Sequence, residues 1–146
     1  MNEFEIVTNI DRPIADVFAA FQDLDTAPQW NPGVTEVRQT SAGPLGVGST
    51  VVYVGSFLGR SYESPVEYTQ CVADKRIVTK TTSGPFDLEV AIELDPVGAG
   101  TTVTATYRGE SRGFFKLAEP IVLRLTKRHF ETANENLKTL LEADAL

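Results

Sequence analysis

The spacing of hydrophobic and polar positions changes along the chain, and each spacing predicts a different element. Residues 3–10 alternate apolar and polar side chains, which predicts a β-strand. Between residues 14 and 21 the apolar side chains recur every three or four positions, which is typical of an amphipathic helix. Residues 26–30 predict a second, very short helix, which is ended by the sequence Asn31-Pro32-Gly33.

A longer region with strand-like spacing follows these two helices. It predicts six strands separated by short segments rich in Gly, Pro and Asp, at residues 34–39, 49–57, 61–72, 77–82, 86–94 and 101–108. Separators of this length favour antiparallel hairpins. In the last two strands every second side chain is apolar and its neighbours are mostly polar, so one sheet face should be buried and the other solvated.

The last part of the chain has a helical pattern from residue 116 to about residue 143. Pro120 falls either in the first turn of this helix or at a break. The apolar positions between Val122 and Leu141 form one broad arc, and charged side chains occupy the other side. A helix of about 40 Å, at roughly 1.5 Å per residue, is long enough to lie across the whole width of a sheet.

Composition narrows the classes of function. The chain has 146 residues, of which 42% are hydrophobic, and it suits one domain over residues 1–146 with a substantial core. Its net charge of −7 disfavours binding to nucleic acid and to anionic lipid surfaces. No segment resembles a signal peptide or a membrane span, and the single Cys71 forms no internal disulfide, so a cytoplasmic protein is predicted.

The sequence contains no pattern for a cofactor or a metal. One cysteine and one histidine are too few for a structural zinc site without several carboxylates. Glycine-rich nucleotide-binding loops, a Walker sequence and an EF-hand pattern are also absent. We therefore expect neither a cofactor nor a metal.

Four short sequences carry a resemblance to a known superfamily. They are IDRPIADVF at residues 10–18, WNPGV at 30–34, LDP followed by GTTVT within 94–104, and NLKTLLE at 136–142. In this order and at these spacings they resemble the START-like (SRPBCC) superfamily, and within it the polyketide cyclase/dehydrase-like branch.

The resemblance implies an α+β helix-grip fold. In that fold a curved antiparallel sheet of seven strands wraps around the long C-terminal helix, and two short helices follow the first strand. The resemblance also implies a deep, mostly apolar cavity between sheet and helix, which would hold a hydrophobic small-molecule ligand, and no dedicated cofactor.

Aromatic residues and one histidine are the candidates for the wall of this cavity. They are Trp30, Tyr53, Tyr62, Tyr68, Phe86, Tyr107, Phe114, His129 and Phe130. For each of them the alternative is packing within the core without contact to a ligand. The tyrosines are the most informative, because a buried hydroxyl needs a hydrogen-bond partner and can orient a ligand.

Few residues point to catalysis. His129 is the only side chain that titrates near neutral pH without perturbation, but a general base also needs an orienting acid and a substrate proton within reach. No Gly-x-Ser-x-Gly turn is present to expose a nucleophile. We therefore assign no catalytic residue.

Three functions stay open on the sequence alone. The first is binding of a hydrophobic or amphipathic small molecule such as a lipid, a polyketide or an aromatic metabolite, and the acidic charge favours neutral or apolar cargo. The second is a cyclase- or dehydratase-type enzyme in which His129, Tyr62 or Arg108 handles protons. The third is a protein-interaction module, which a broad apolar patch around Phe114 and Phe115 outside the cavity would favour. The same segment is otherwise either a lip over the cavity or a homodimer contact.

Overall fold

The computed structural model describes residues 2–146, apart from the side chain of Phe114. In that part of the chain the strands are β1 (Asn2–Ile10), β2 (Val34–Gln39), β3 (Thr50–Phe57), β4 (Arg60–Val72), β5 (Arg76–Thr81), β6 (Phe86–Val97) and β7 (Gly100–Ser111). The helices are α1 (Ile14–Gln22), α2 (Ala27–Trp30), α3 (Phe114–Leu117) and α4 (Glu119–Glu142). This element order confirms the predicted α+β helix-grip fold.

The strands form one antiparallel sheet in the order β1-β7-β6-β5-β4-β3-β2. Strands β2 to β7 are neighbours in the sequence as well as in the sheet, and short connections join them except between β2 and β3, where residues 40–49 form a longer loop. Strand β1 joins the sheet at β7, where Phe4 pairs with Tyr107 and Ile10 pairs with Thr101. The sheet curves, and its inner face is turned towards α4.

Strands β6 and β7 have the buried and solvated faces that their alternation predicts. Val103 and Ala105 are at most 1% exposed, and Leu94, which pairs with Val103, is 4% exposed. Arg108 of the same strand β7 lies on the other face, with half of its side chain exposed. The predicted facing of these two strands is therefore confirmed.

The C-terminal half of α4 packs into the core against the sheet. Ala133, Leu137 and Leu141 are 1%, 0% and 6% exposed, and all three belong to the main cluster of buried apolar side chains. They fall at the i, i+4 and i+8 positions of one helix face.

Hydrogen bonds hold the same end of α4 at the joint between β1 and α1. Arg12 Nη1 donates to the Leu141 carbonyl oxygen at 2.6 Å, and Arg12 Nη2 pairs with Asp16 Oδ2 at 2.7 Å. Lys138 Nζ donates to the Asn9 carbonyl oxygen at 2.6 Å. The first and the last of the four family-like sequences are thus in direct contact.

Several boundaries differ from those predicted, and two of the differences change the local structure. Residues 116–143 do not form one helix, because the chain breaks at Ala118 between α3 and α4, and Pro120 lies in the first turn of α4. The hairpin between β6 and β7 is tighter than predicted, since Val97 pairs with Gly100 and only two residues form the turn. Gly98 makes this turn with a φ of +60°, which glycine adopts without steric cost.

Removing the Leu137 side chain should test the contact between α4 and the sheet. We expect Leu137→Ala to lower the free energy of unfolding by about 3–5 kcal/mol, because it opens a cavity at a fully buried site. The matched control is Leu117→Ala, where the leucine is 88% exposed and the change should stay within about 0.5 kcal/mol. Urea unfolding of both variants measures the difference, and equal losses would contradict the packing described here.

Candidate functional site

A cavity lies between the inner face of the sheet and residues 122–134 of α4. Its volume is about 210 Å³, many times the roughly 10–15 Å³ that one water molecule needs. Strands β3 to β7 supply most of one wall, and α1, α2 and the start of β1 contribute at the sides. The space between sheet and helix is therefore a true cavity and not a minor packing defect.

Aromatic and aliphatic side chains make up most of the wall. The non-tyrosine aromatic residues are Phe4, Phe21, Trp30, Phe57, Phe86 and Phe130. Aliphatic side chains such as Val66, Val90 and Ile92 fill the spaces between the rings. A mostly apolar wall with a few polar groups is typical of small-molecule sites.

Four aromatic rings pack together at one part of the wall, and we call Phe57, Tyr62, Phe86 and Phe115 the aromatic cluster. The Phe115 ring stacks on Phe86 with centroids 5.0 Å apart and lies 5.7 Å from Phe57. The Tyr62 ring meets Phe86 edge-on at 6.0 Å. Phe115 is only 4% exposed, so it belongs to the cluster and forms no exposed apolar patch.

A second group of stacked rings lies where β1 and β7 approach α4. The Tyr107 ring stacks on both Phe4 and Phe130, with ring centroids 5.0 Å and 4.0 Å away, and the Phe4 and Phe130 rings are 6.3 Å apart. Asn134 Nδ2 donates to the Tyr107 hydroxyl at 3.0 Å and to the Phe130 carbonyl oxygen at 2.7 Å. Asn134 is 5% exposed, and these bonds satisfy its amide nitrogen inside the core.

All four tyrosines of the chain lie on the cavity wall. Burial raises the pKa of Tyr53 to about 12 and that of Tyr107 to about 12, although the hydrogen bond from Asn134 acts in the opposite direction on Tyr107. Burial also raises the pKa of Tyr62 and of Tyr68 above the usual value. Low dielectric surroundings disfavour the phenolate, so these hydroxyls stay protonated at neutral pH and can donate hydrogen bonds.

Trp30 both anchors α2 and forms part of the wall. It is 9% exposed, its ring meets Phe21 edge-on at 5.8 Å, and its carbonyl oxygen accepts a hydrogen bond from Asn136 Nδ2 at 3.2 Å. Within the described residues, its buried indole Nε1 has no hydrogen-bond partner. Because Trp30 is the only tryptophan of the chain, its fluorescence reports on this wall alone.

His129 lies on the wall in a setting that favours the neutral imidazole. Its ring meets Phe130 edge-on at 4.9 Å, and burial lowers the pKa of His129 below its usual 6.5. No carboxylate of the described residues raises that pKa, so the acid that would orient a catalytic base is not found there. Arg108 does not join His129, because it pairs with Glu3 at 3.0 Å on the outer face of the sheet.

The structure brings together at the cavity most of the residues that the sequence analysis predicts for its wall. Those that line the cavity are Trp30, Tyr53, Tyr62, Tyr68, Phe86, Tyr107, His129 and Phe130. The side chain of Phe114 lies outside the described residues, and only its backbone position in α3 is given. The selection missed Asn134, Phe4 and Phe21, although Phe4 belongs to a visible alternation and carried a usable signal.

The described residues contain neither a membrane-spanning helix nor a metal-ligating cluster. No helix of residues 2–146 is at once long enough and apolar enough to cross a bilayer. In the same residues, no three or more His, Cys, Asp or Glu side chains gather in a way that could hold a metal ion.

Comparison with known proteins identifies both family and fold. The family model for polyketide cyclase/dehydrase and lipid transport matches residues 1–142. The crystal structure of TTHA0849 from Thermus thermophilus superposes with a TM-score of 0.84 at 19% identity, covering 99% of this chain and 100% of that one. A search of curated protein sequences found no match.

Two further crystal structures share the fold at similarly low identity. A START superfamily protein from Mycobacterium smegmatis has a TM-score of 0.70 at 16% identity, covering 92% of this chain and 98% of that one. Ginseng major latex-like protein 151 from Panax ginseng has a TM-score of 0.68 at 16% identity, covering 99% and 97%. These structures show the fold that this chain shares, and the family model over residues 1–142 confirms the resemblance to the polyketide cyclase/dehydrase family.

The burial of His129 predicts a pH dependence of stability. Since its pKa is lower in the folded chain than in the unfolded chain, the unfolded chain binds the proton more readily, and stability falls as the pH drops below about 6.5. We expect the melting temperature of the wild type to fall more between pH 7.5 and pH 5.5 than that of His129→Gln. The carboxylates are common to both proteins, and equal pH profiles would contradict the buried, neutral histidine.

Proposed function

The chain belongs to the polyketide cyclase/dehydrase and lipid transport family, and we propose that it binds a hydrophobic or amphipathic small molecule in the cavity between the sheet and α4. The ligand class comprises lipids, polyketides and aromatic metabolites. The observation that carries the proposal is the apolar cavity itself, which one long helix leaves open above the sheet.

The chemistry of the wall supports binding over catalysis. A ligand would bury its apolar surface against rings and aliphatic side chains, which stabilises a complex by roughly 25 cal/mol per Å². His129, the group best suited to proton transfer, has no orienting carboxylate among the described residues. A carrier or binding protein needs only the cavity, whereas an enzyme also needs that missing partner.

An enzyme of the cyclase or dehydratase type is the second candidate, and the position of His129 favours it. The ring lies on the cavity wall, and its lowered pKa keeps it neutral, which is the form able to accept a proton. In that case the substrate itself, or a tyrosine such as Tyr62, would complete the proton path. Loss of turnover in His129→Gln with unchanged binding would identify this function.

Partly filling the cavity should weaken binding of an apolar probe. We expect the wild type to bind N-phenyl-1-naphthylamine, an uncharged fluorescent probe, saturably and at one molecule per chain. Val90→Phe adds a ring inside the cavity and should weaken this binding by at least about tenfold, or about 1.4 kcal/mol. The readouts are probe fluorescence and quenching of Trp30.

The matched control makes the same change on the same strand. Val97 is 62% exposed near the end of β6 and does not line the cavity, so Val97→Phe should bind the probe like the wild type. Melting temperatures establish that both variants are folded. Absence of saturable binding in the wild type, or equal weakening in the two variants, would contradict the proposed function.

A further inference from the structure

Within the described residues, three of the four tyrosine hydroxyls have no hydrogen-bond partner. Asn134 Nδ2 donates to the Tyr107 hydroxyl, but no hydrogen bond within the described residues uses the hydroxyls of Tyr53, Tyr62 or Tyr68. None of these three hydroxyl oxygens is one of the fully buried side-chain polar atoms that lack a hydrogen-bond partner, so each is accessible from the cavity. Polar groups in an apolar wall are costly unless a partner meets them, so these hydroxyls point to a ligand with matching atoms.

The register of β3 and β4 places these three tyrosines on the inner face of the sheet, where they line the cavity. Tyr53 pairs with Ser64, and Gly55 pairs with Tyr62, so Tyr53 and Tyr62 are diagonal neighbours on the inner face. Tyr68 lies further along the same face of β4 and is 3% exposed. These three residues are called the wall tyrosines.

Gly55 leaves the space next to the Tyr62 hydroxyl free. A Cβ atom on Gly55 would lie 3.0 Å from the Tyr62 hydroxyl oxygen and would clash with the Gly33 carbonyl oxygen. Any larger residue at position 55 would therefore displace the ring of Tyr62 or the backbone of Gly33, which precedes β2. The backbone leaves room for this hydroxyl directly above β3.

The charges around the cavity do not suit an anionic ligand. Of the described residues that line it, none is Lys or Arg, while Asp87 and Glu110 are acidic. These two carboxylates are paired with Arg112 at 3.4 Å and with Lys116 at 3.8 Å, so both cations are already engaged. His129 also lines the cavity, but burial lowers its pKa and favours the neutral imidazole, so an ionised carboxylate there would lack an opposite charge to offset its desolvation.

We propose that the ligand is an uncharged molecule whose hydroxyl or carbonyl oxygens hydrogen-bond with the hydroxyls of the wall tyrosines, Tyr53, Tyr62 and Tyr68. This inference rests on the proposed function and narrows its ligand class. It excludes ionised fatty acids and pure hydrocarbons, and it favours neutral oxygenated aromatic or polyketide-like molecules. The apolar rings of the wall hold the carbon skeleton, and the hydroxyls fix its orientation.

The protonation state of the tyrosines agrees with this ligand. Burial keeps their pKa above the usual value, so each hydroxyl can both donate and accept at neutral pH. A hydrocarbon that displaced water from the cavity would leave all three without a partner.

Three probes of nearly the same size separate these classes, namely naphthalene, 2-naphthol and 2-naphthoate. They are measured by isothermal titration calorimetry at pH 7, where 2-naphthol is uncharged like other phenols and 2-naphthoate is ionised. We expect 2-naphthol to bind about tenfold more tightly than naphthalene, equivalent to about 1.4 kcal/mol for one added hydrogen bond. The expected affinity of 2-naphthoate is at least about tenfold below that of 2-naphthol.

Hydroxyl deletion assigns the preference to named residues. Tyr53→Phe, Tyr62→Phe and Tyr68→Phe, alone and together, remove the three hydroxyls and keep the rings. We expect the triple variant to bind 2-naphthol no more tightly than naphthalene, while naphthalene binding, the internal control, is retained or tightened. A preference for 2-naphthol that survives in a folded triple variant would overturn the inference.

The outcomes also separate this inference from the proposed function. If none of the three probes binds, both fail. If naphthalene and 2-naphthol bind equally well to the wild type, or 2-naphthoate binds most tightly, the cavity is a binding site but the inference is overturned. The comparison in the wild type is sufficient even if the variants do not fold.

Discussion

One helix is too narrow to cover a sheet of seven strands. An α-helix with its side chains is about 10 Å across, whereas seven strands spaced about 4.8 Å apart extend over roughly 30 Å. In this protein α4 packs mainly on the β1 and β7 side, and α1 and α2 cover part of the remainder. The apolar inner face of β3 to β6 therefore faces the cavity, and the width of the sheet is what creates it.

The two ends of α4 serve different purposes as a result. Its C-terminal half is tied to the β1–α1 joint through Arg12 and Lys138 and buries Leu137 completely. Its preceding turns carry His129 and Phe130 along the cavity instead of into a packed core. Anchoring to the sheet and lining of the cavity are thus assigned to different turns of one helix, so the cavity wall can vary without loss of the anchor.

Alternation and spacing predict most of the strands and helices, and the resemblance to the START-like superfamily implies how they are arranged. Because side chains in a strand point to opposite faces in turn, the pattern in β6 and β7 was enough to predict which face is buried. The tight turn at Gly98 and the helix break at Ala118 were not predicted, since propensity does not fix where a hairpin closes or how a helix enters. Element boundaries depend on tertiary contacts that a single sequence does not encode locally.

The candidate site was only partly predictable for a related reason. Tyr53 and Tyr68 could be selected because aromatic residues in strands are visible in the sequence. Asn134 could not, because an asparagine in an amphipathic helix is typical of a solvated face, and only the depth of docking brings it to Tyr107. The unpaired state of the other hydroxyls likewise depends on distances between strands and is a property of the folded sheet alone.

The sheet order also has a consequence for the order of assembly. Every pairing from β2 to β7 joins strands adjacent in the chain, whereas β1 pairs with β7 across about 100 residues, and local pairings generally form faster. We expect the meander to form first, and β1 with the attached end of α4 to dock later. A molecule present during folding would therefore meet an open, half-built wall before the helix covers it.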